Sequence, residues 1–188
     1  EVVPDMPPPL SPLRREFLLA TLIQRWAQNA AKDEERRALR ATTPALALKL
    51  ARELASLLDQ ATAEGLAWER LKTIVPEDLS LHWEQTVQFL SILTEQWPGL
   101  LAAEKASDPA AHRDAALRLA AQRWAAAPPS FPVIAAGSTG SVPATAELLR
   151  TIAYMPNGAV VLPGIDLGLD REAWDAAESG HPQHWMRQ

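Results

Sequence analysis

Five consecutive small residues, Gly137-Ser138-Thr139-Gly140-Ser141, follow the apolar run Val133-Ile134-Ala135-Ala136 and are the stretch of this chain best placed to do chemistry. A loop at the carboxyl end of a buried strand, leading into a helix, is where open α/β folds collect ligands, since the N–H groups of a helix start favour anions. Spacing rules out two chemistries. A phosphate-binding P-loop needs Gly-x-x-x-x-Gly-Lys-Ser/Thr, and no lysine follows Gly140 to neutralise a terminal phosphate. A serine-nucleophile elbow needs Gly-x-Ser-x-Gly, which this run does not match. Two readings of Ser138, Thr139 and Ser141 remain: a structural turn, or direct contact with a ligand.

Arg36, Arg37 and Arg40 are the second candidate, a phosphate-contacting patch. Asp33, Glu34 and Glu35 stand between Lys32 and these arginines in one run, so the competing account is a solvated, mixed-charge helix end. The four histidines add little: His82 and His112 fall on helical segments, and His181-x-x-His184 has metal-ligand spacing without a third ligand nearby. Asp166, Asp170, Glu172 and Asp175 are loop and first-turn acids, with Asp170 placed to cap a helix. Cysteine is absent, which removes disulfides, thiolate metal sites and cysteine nucleophiles together and leans toward a reducing compartment. No catalytic residue, metal ligand or cofactor-binding residue is assigned.

The elements that would hold these residues read clearly in places. Ser11-Pro12 opens a helix whose stripe is Leu18, Leu22 and Trp26, widened by Leu19 and Ile23, with Arg14, Arg15 and Arg25 on its flanks. A second helix runs from Pro44 to the break at Gly65 and carries Leu46, Leu50, Leu54, Leu57 and Leu58. Trp68, Leu71 and Ile74 suggest a short helix. Leu79, Trp83, Val87, Leu90, Leu93 and Trp97 make a long stripe, and Asp108-Pro109 caps a helix that turns Leu117, Ala120, Ala121 and Trp124 inward. Core packing, rather than base stacking, is the expectation for Trp26, Trp83, Trp97 and Trp124.

After Pro128-Pro129 the pattern changes. Val133–Ala136 and Ala159–Leu162 are short apolar runs bounded by turn formers, and Pro143 to Met155 between them is helical, with Ala146, Leu148, Leu149, Ile152 and Ala153 on one face. Strand, loop, helix, strand at this spacing is a βαβ unit with parallel strands covered on both faces. Two strands are too few to stand alone, so a larger sheet is expected. The predicted organisation is a proline-rich lead-in over 1–10, extended or disordered, a helical subdomain over 11–128, and an incomplete α/β part over 129–188.

The chain has 188 residues, 47% of them hydrophobic, enough to bury a real core. A formal charge of −5 and a pI near 5.4 argue against the whole chain acting as an electrostatic clamp on nucleic acid, though a basic face is allowed. No apolar run approaches the roughly 20 residues needed to span a bilayer, so no membrane association is expected. The chain opens Glu1-Val2-Val3-Pro4 without an initiator methionine and is read as a piece cut from a longer protein.

Four stretches, SPLRREFLLATLIQRW, ARELASLLDQATAEGLAWERLKTIVPEDLSLHWEQTVQFLSILTEQWP, PVIAAGSTGSVPATAELLRTIAYMPNGAVVLPGIDLGLDREAW and HPQH, together resemble the N-terminal half of alphaproteobacterial-type AddB. AddB is a subunit of the AddAB helicase-nuclease that processes double-strand DNA breaks for recombinational repair. The phrase AAGSTGSVPATAELL is the most specific part. The resemblance implies a mostly α fold with a small parallel α/β element, part of a superfamily 1 helicase-like (P-loop NTPase-like) domain with an inserted helical subdomain. Residues 129–188 would then belong to a RecA-like domain.

In active relatives the strand matching Val133–Ala136 ends in acidic residues that hold magnesium and polarise the attacking water. Here it ends Ala136-Gly137-Ser138-Thr139, without a carboxylate, so the resemblance implies a segment that does not hydrolyse ATP. The family's nuclease domain, with its metal site and iron-sulfur cluster, maps outside this chain. Implied partners are an AddA-type subunit and, in the full complex, DNA; the implied location is the cytoplasm. Two other accounts fit the residues: a helical protein-interaction module unrelated to nucleic acid, and a small enzyme using the loop after the first strand. The second lacks an acid, histidine or lysine in that loop.

Overall fold

Helix α1 (Pro12–Ala30) starts where Ser11 can cap it: the Ser11 hydroxyl accepts from the Arg14 N–H at 3.3 Å, and Pro12 occupies the first helical position, where no N–H is needed. Helix α2 (Pro44–Ala63) repeats the device, with the Thr43 hydroxyl accepting from the Leu46 N–H at 3.2 Å. The computed structural model describes residues 6–30, 43–66, 89–164, 166 and 168–176. Arg36, Arg37, Arg40, His82, His181 and His184 lie outside them, as does the predicted short helix around Trp68.

The chain is mostly helical, with one two-stranded parallel sheet. It divides into two compact units, the first ending at His112 and the second beginning at Arg113.

In the first unit α1 and α2 pack on each other over a core of Leu19, Leu22, Ile23, Ala47, Ala51, Leu54 and Leu58, with Ile92, Leu93 and Trp97 added from the third segment. Two expected faces are rotated. On α2 the wholly buried residues are Ala47 and Ala51, while Leu46 and Leu57 are exposed: small side chains let the helix axes approach, and the leucines move to the rim. On α1, Arg15 is buried instead of flanking the stripe. Trp26 is half-buried and meets Phe89 edge to face, ring centroids 5.2 Å apart.

The third segment does not stop at Trp97. A π-helical turn, Ile92–Gln96, passes directly into helix α3 (Trp97–Glu104). The Trp97 N–H reaches back to the Ile92 carbonyl, and this wider turn lets a helix pass through Pro98, which lacks an N–H and whose ring crowds the carbonyl four residues earlier. Lys105 ends α3 in the left-handed conformation, φ 51°. Its N–H bonds to the Ala102 carbonyl and that of Ala106 to the Leu101 carbonyl.

The lead-in is held in place. Pro7 to Leu10 run extended beside Ser107: the Ser107 N–H donates to the Pro8 carbonyl at 2.9 Å and the Leu10 N–H to the Ser107 carbonyl at 3.0 Å. Helix α4 (Pro109–Ala126) follows, and the division into units falls within it, ahead of Pro128-Pro129.

In the second unit β1 (Val133–Ala136), α5 (Pro143–Tyr154) and β2 (Gly158–Val161) form the βαβ piece. Its strands are parallel, with Val133 opposite Gly158 and Ala136 opposite Val161. Helix α5 covers one face. The other face is left uncovered by the described residues: Ile134 is 68% and Val161 57% exposed, and Ala136 and Ala159 are open with them. A short helix α6 (Arg171–Asp175) is capped by the Asp170 carboxylate, which accepts from the Ala173 N–H at 2.8 Å. Among the described residues no helix is long and apolar enough to cross a membrane.

Candidate functional site

The Gly137–Ser141 loop leaves the carboxyl end of β1 and enters α5. The ladder carries straight to its first residue, whose N–H bonds the Val161 carbonyl at 3.1 Å. Gly137 and Gly140 both adopt positive φ, so the chain reverses within four residues. Ser138 is half-buried, and its hydroxyl accepts from the Gly140 N–H at 3.4 Å, a bond internal to the turn. Thr139 is half-buried and Ser141 exposed. Helix α5 begins at Pro143 with Val142 as its N-cap and no side-chain cap. The loop therefore presents backbone and hydroxyl groups and no ionisable side chain: it can hydrogen-bond a ligand but offers neither base nor nucleophile activation.

Strand β2, which pairs with β1, approaches the backbone at the end of α5 closely where it starts. A Cβ on Gly158 would run into the Ile152 carbonyl oxygen and lie 3.1 Å from Met155 Cβ. Only glycine lets the strand turn back tightly enough under α5 to pair with β1.

A second polar constellation, which the sequence reading missed, sits inside the first unit. Arg15 and Asp108 are each about 94% removed from solvent and pair bidentately, Nε to Oδ2 at 3.0 Å and Nη2 to Oδ1 at 3.2 Å. Arg15 Nη1 also meets Asp59 Oδ1 at 2.8 Å. Asp108 does two further jobs: Oδ2 accepts from Trp97 Nε1 at 3.1 Å, and Oδ1 accepts from the Ala110 N–H at 3.0 Å, capping α4. Three segments thus converge on one carboxylate, whose four acceptor positions are all used by protein donors, leaving none for a substrate.

Beside it, the Ser107 hydroxyl donates to the Pro7 carbonyl at 2.7 Å and lies 3.0 Å from His112 Nδ1. A hydroxyl has one proton. With that proton on Pro7, Ser107 Oγ accepts, and Nδ1 of His112 carries the hydrogen. Serine, histidine and aspartate lie close here, but the serine proton faces a carbonyl and the aspartate faces arginine, so the geometry is that of a fastening. One sequence signal pointed to the buried arginine: Arg15, Leu19 and Ile23 recur every four residues on one helical face.

Among the described residues no group of three histidine, aspartate or glutamate side chains gathers as a metal site. No family model matches the chain, and no curated protein or solved structure matches it either.

Proposed function

We propose that this chain is a noncatalytic piece of an AddB-type subunit, taken from its helicase-like N-terminal region, and that it supports subunit assembly and the DNA path in double-strand break repair. The observation that carries the reading is the unfinished sheet. Two parallel strands show one apolar face to solvent, while the buried apolar residues of their unit among those described are Ala121, Ala144, Ile152 and Met155. A core this small supports a βαβ piece only when further strands or helices cover it. The carboxylate-free end of β1 agrees with a nucleotide-binding scaffold that has lost its hydrolytic residues.

The test is made in the complete AddB-type subunit. Ile134→Lys together with Val161→Lys is expected to prevent its co-purification with the AddA-type partner or to abolish processing of duplex ends, because both positions would be buried there. An unimpaired complex overturns the reading. The Arg36, Arg37 and Arg40 patch is tested separately. Replacing all three by Ala should weaken DNA binding and lower the slope of log affinity against log salt by up to about 2.7, at roughly 0.9 per lost phosphate contact. An unchanged slope removes these arginines from the DNA path.

A further inference from the structure

The second unit carries a groove of about 310 Å3 between the last turns of α4 and α5, walled by Trp124, Pro128, Arg150, Tyr154 and Pro156. Its lining is unusual in chemistry. Tyr154, on the last turn of α5, is 85% exposed, and Arg150 lies four residues before it, on the same side of the helix. The nearby Thr151 hydroxyl is already bonded to the Glu147 carbonyl. That leaves the Trp124 indole N–H, the Arg150 guanidinium and the Tyr154 hydroxyl, none of which has a hydrogen-bond partner among the described residues.

The groove therefore offers donors set among flat aromatic and proline faces, and its ligand should be rich in acceptors and ridged with apolar rings. A nucleic acid strand fits less well. Its phosphates would approach the carboxyl-terminal ends of two helices, where partial negative charge repels them.

We propose that this groove docks a proline-rich segment of a partner protein in the polyproline II conformation. Such a segment has no internal hydrogen bonds, so its carbonyls are open to the three donors, and proline itself has no N–H to satisfy. Its rings seat between aromatic side chains, and its preformed shape lowers the ordering cost of binding. The volume lies at the lower end of the ~300–1,000 Å3 typical of ligand sites, which suits a few residues of an extended chain. The proposal is independent of the AddB reading.

Fluorescein-labelled decaproline is titrated with the whole 188-residue chain and followed by anisotropy, with labelled oligothymidine as the second probe. Saturable decaproline binding is expected, and Tyr154→Ala should weaken it at least tenfold, as for an aromatic anchor at about 1.4 kcal/mol per decade. Arg150→Gln should weaken it less, and Phe131→Ala, at an exposed residue outside the groove, should leave it within about twofold. Circular dichroism confirms that these surface variants keep the fold. Absence of saturable decaproline binding overturns the proposal. So does decaproline binding that Tyr154→Ala leaves intact. Oligothymidine binding that is lost in Tyr154→Ala and not displaced by decaproline also overturns it and assigns the groove to nucleic acid.

Discussion

Arg15 and Asp108, 93 residues apart in sequence, form a buried bidentate ion pair that joins the start of α1 to the start of α4. Burying two charges is costly, and this pair persists because the carboxylate also satisfies Trp97 and the α4 N-terminus while the guanidinium gains Asp59.

Breaking this node should be among the most damaging single changes in the first unit. Asp108→Ala is expected to cost about 3–5 kcal/mol, since it strands a buried guanidinium. The double variant Arg15→Met with Asp108→Ala should cost less than the sum of the singles, with a coupling of about 0.5–3 kcal/mol. Arg14→Ala, which removes the solvent-facing pair with Glu104, should cost less than about 1 kcal/mol. Urea unfolding of the wild type, both singles, the double and Arg14→Ala measures all three, and additive losses at Arg15 and Asp108 would contradict the node.

Ser107 fastens the proline-rich lead-in. Ser107→Ala strips the Pro7 carbonyl and His112 Nδ1 of a partner and should cost about 1–3 kcal/mol locally, while the Ser107 backbone bonds remain possible. The readout is hydrogen exchange at the Leu10 amide, which donates to the Ser107 carbonyl. It should speed up about tenfold or more, whereas amides in the middle of α2 should not change. Equal exchange in both proteins would mean the lead-in is held by its backbone bonds alone.

Lys105 is the only non-glycine residue with positive φ among those described. A side chain there strains the end of α3, and Gly65 ends α2 with the same bonding pattern and no Cβ. Lys105→Gly should therefore raise stability by about 1 kcal/mol. A drop in the denaturation midpoint would show that the lysine side chain contributes more than its backbone strain costs.

Gly158→Ala tests the close approach of β2 to α5. The added methyl meets backbone, which cannot move aside without shifting Ile152 or the strand, so loss of the β1–β2 pairing is expected. Nuclear magnetic resonance would register it as collapse of protection at Val133 and Gly137, whose N–H groups bond the Asn157 and Val161 carbonyls. Intact protection would mean the turn has slack that the static geometry does not show.

The sequence by itself determined three helix starts and the parallel βαβ piece. Ser11-Pro12, Pro44 and Asp108-Pro109 are local helix-start chemistry, and short apolar runs between turn formers are local too. Gly137 to Ser141 were legible as a turn after a strand for the same reason. What only the tertiary structure decided depends on residues far apart in the chain. Arg15 reads as a flanking charge until Asp108 arrives beside it, and Leu46 and Leu57 read as core until the alanine face of α2 meets α1. The π-helical turn that carries the third segment past Pro98 is a compromise between a missing N–H and the burial of Ile92, Leu93 and Trp97, which no window of sequence weighs. The open face of Ile134 and Val161 is likewise a tertiary fact: strand composition demands cover on both sides, and only the placement of α5 shows that one side is left bare.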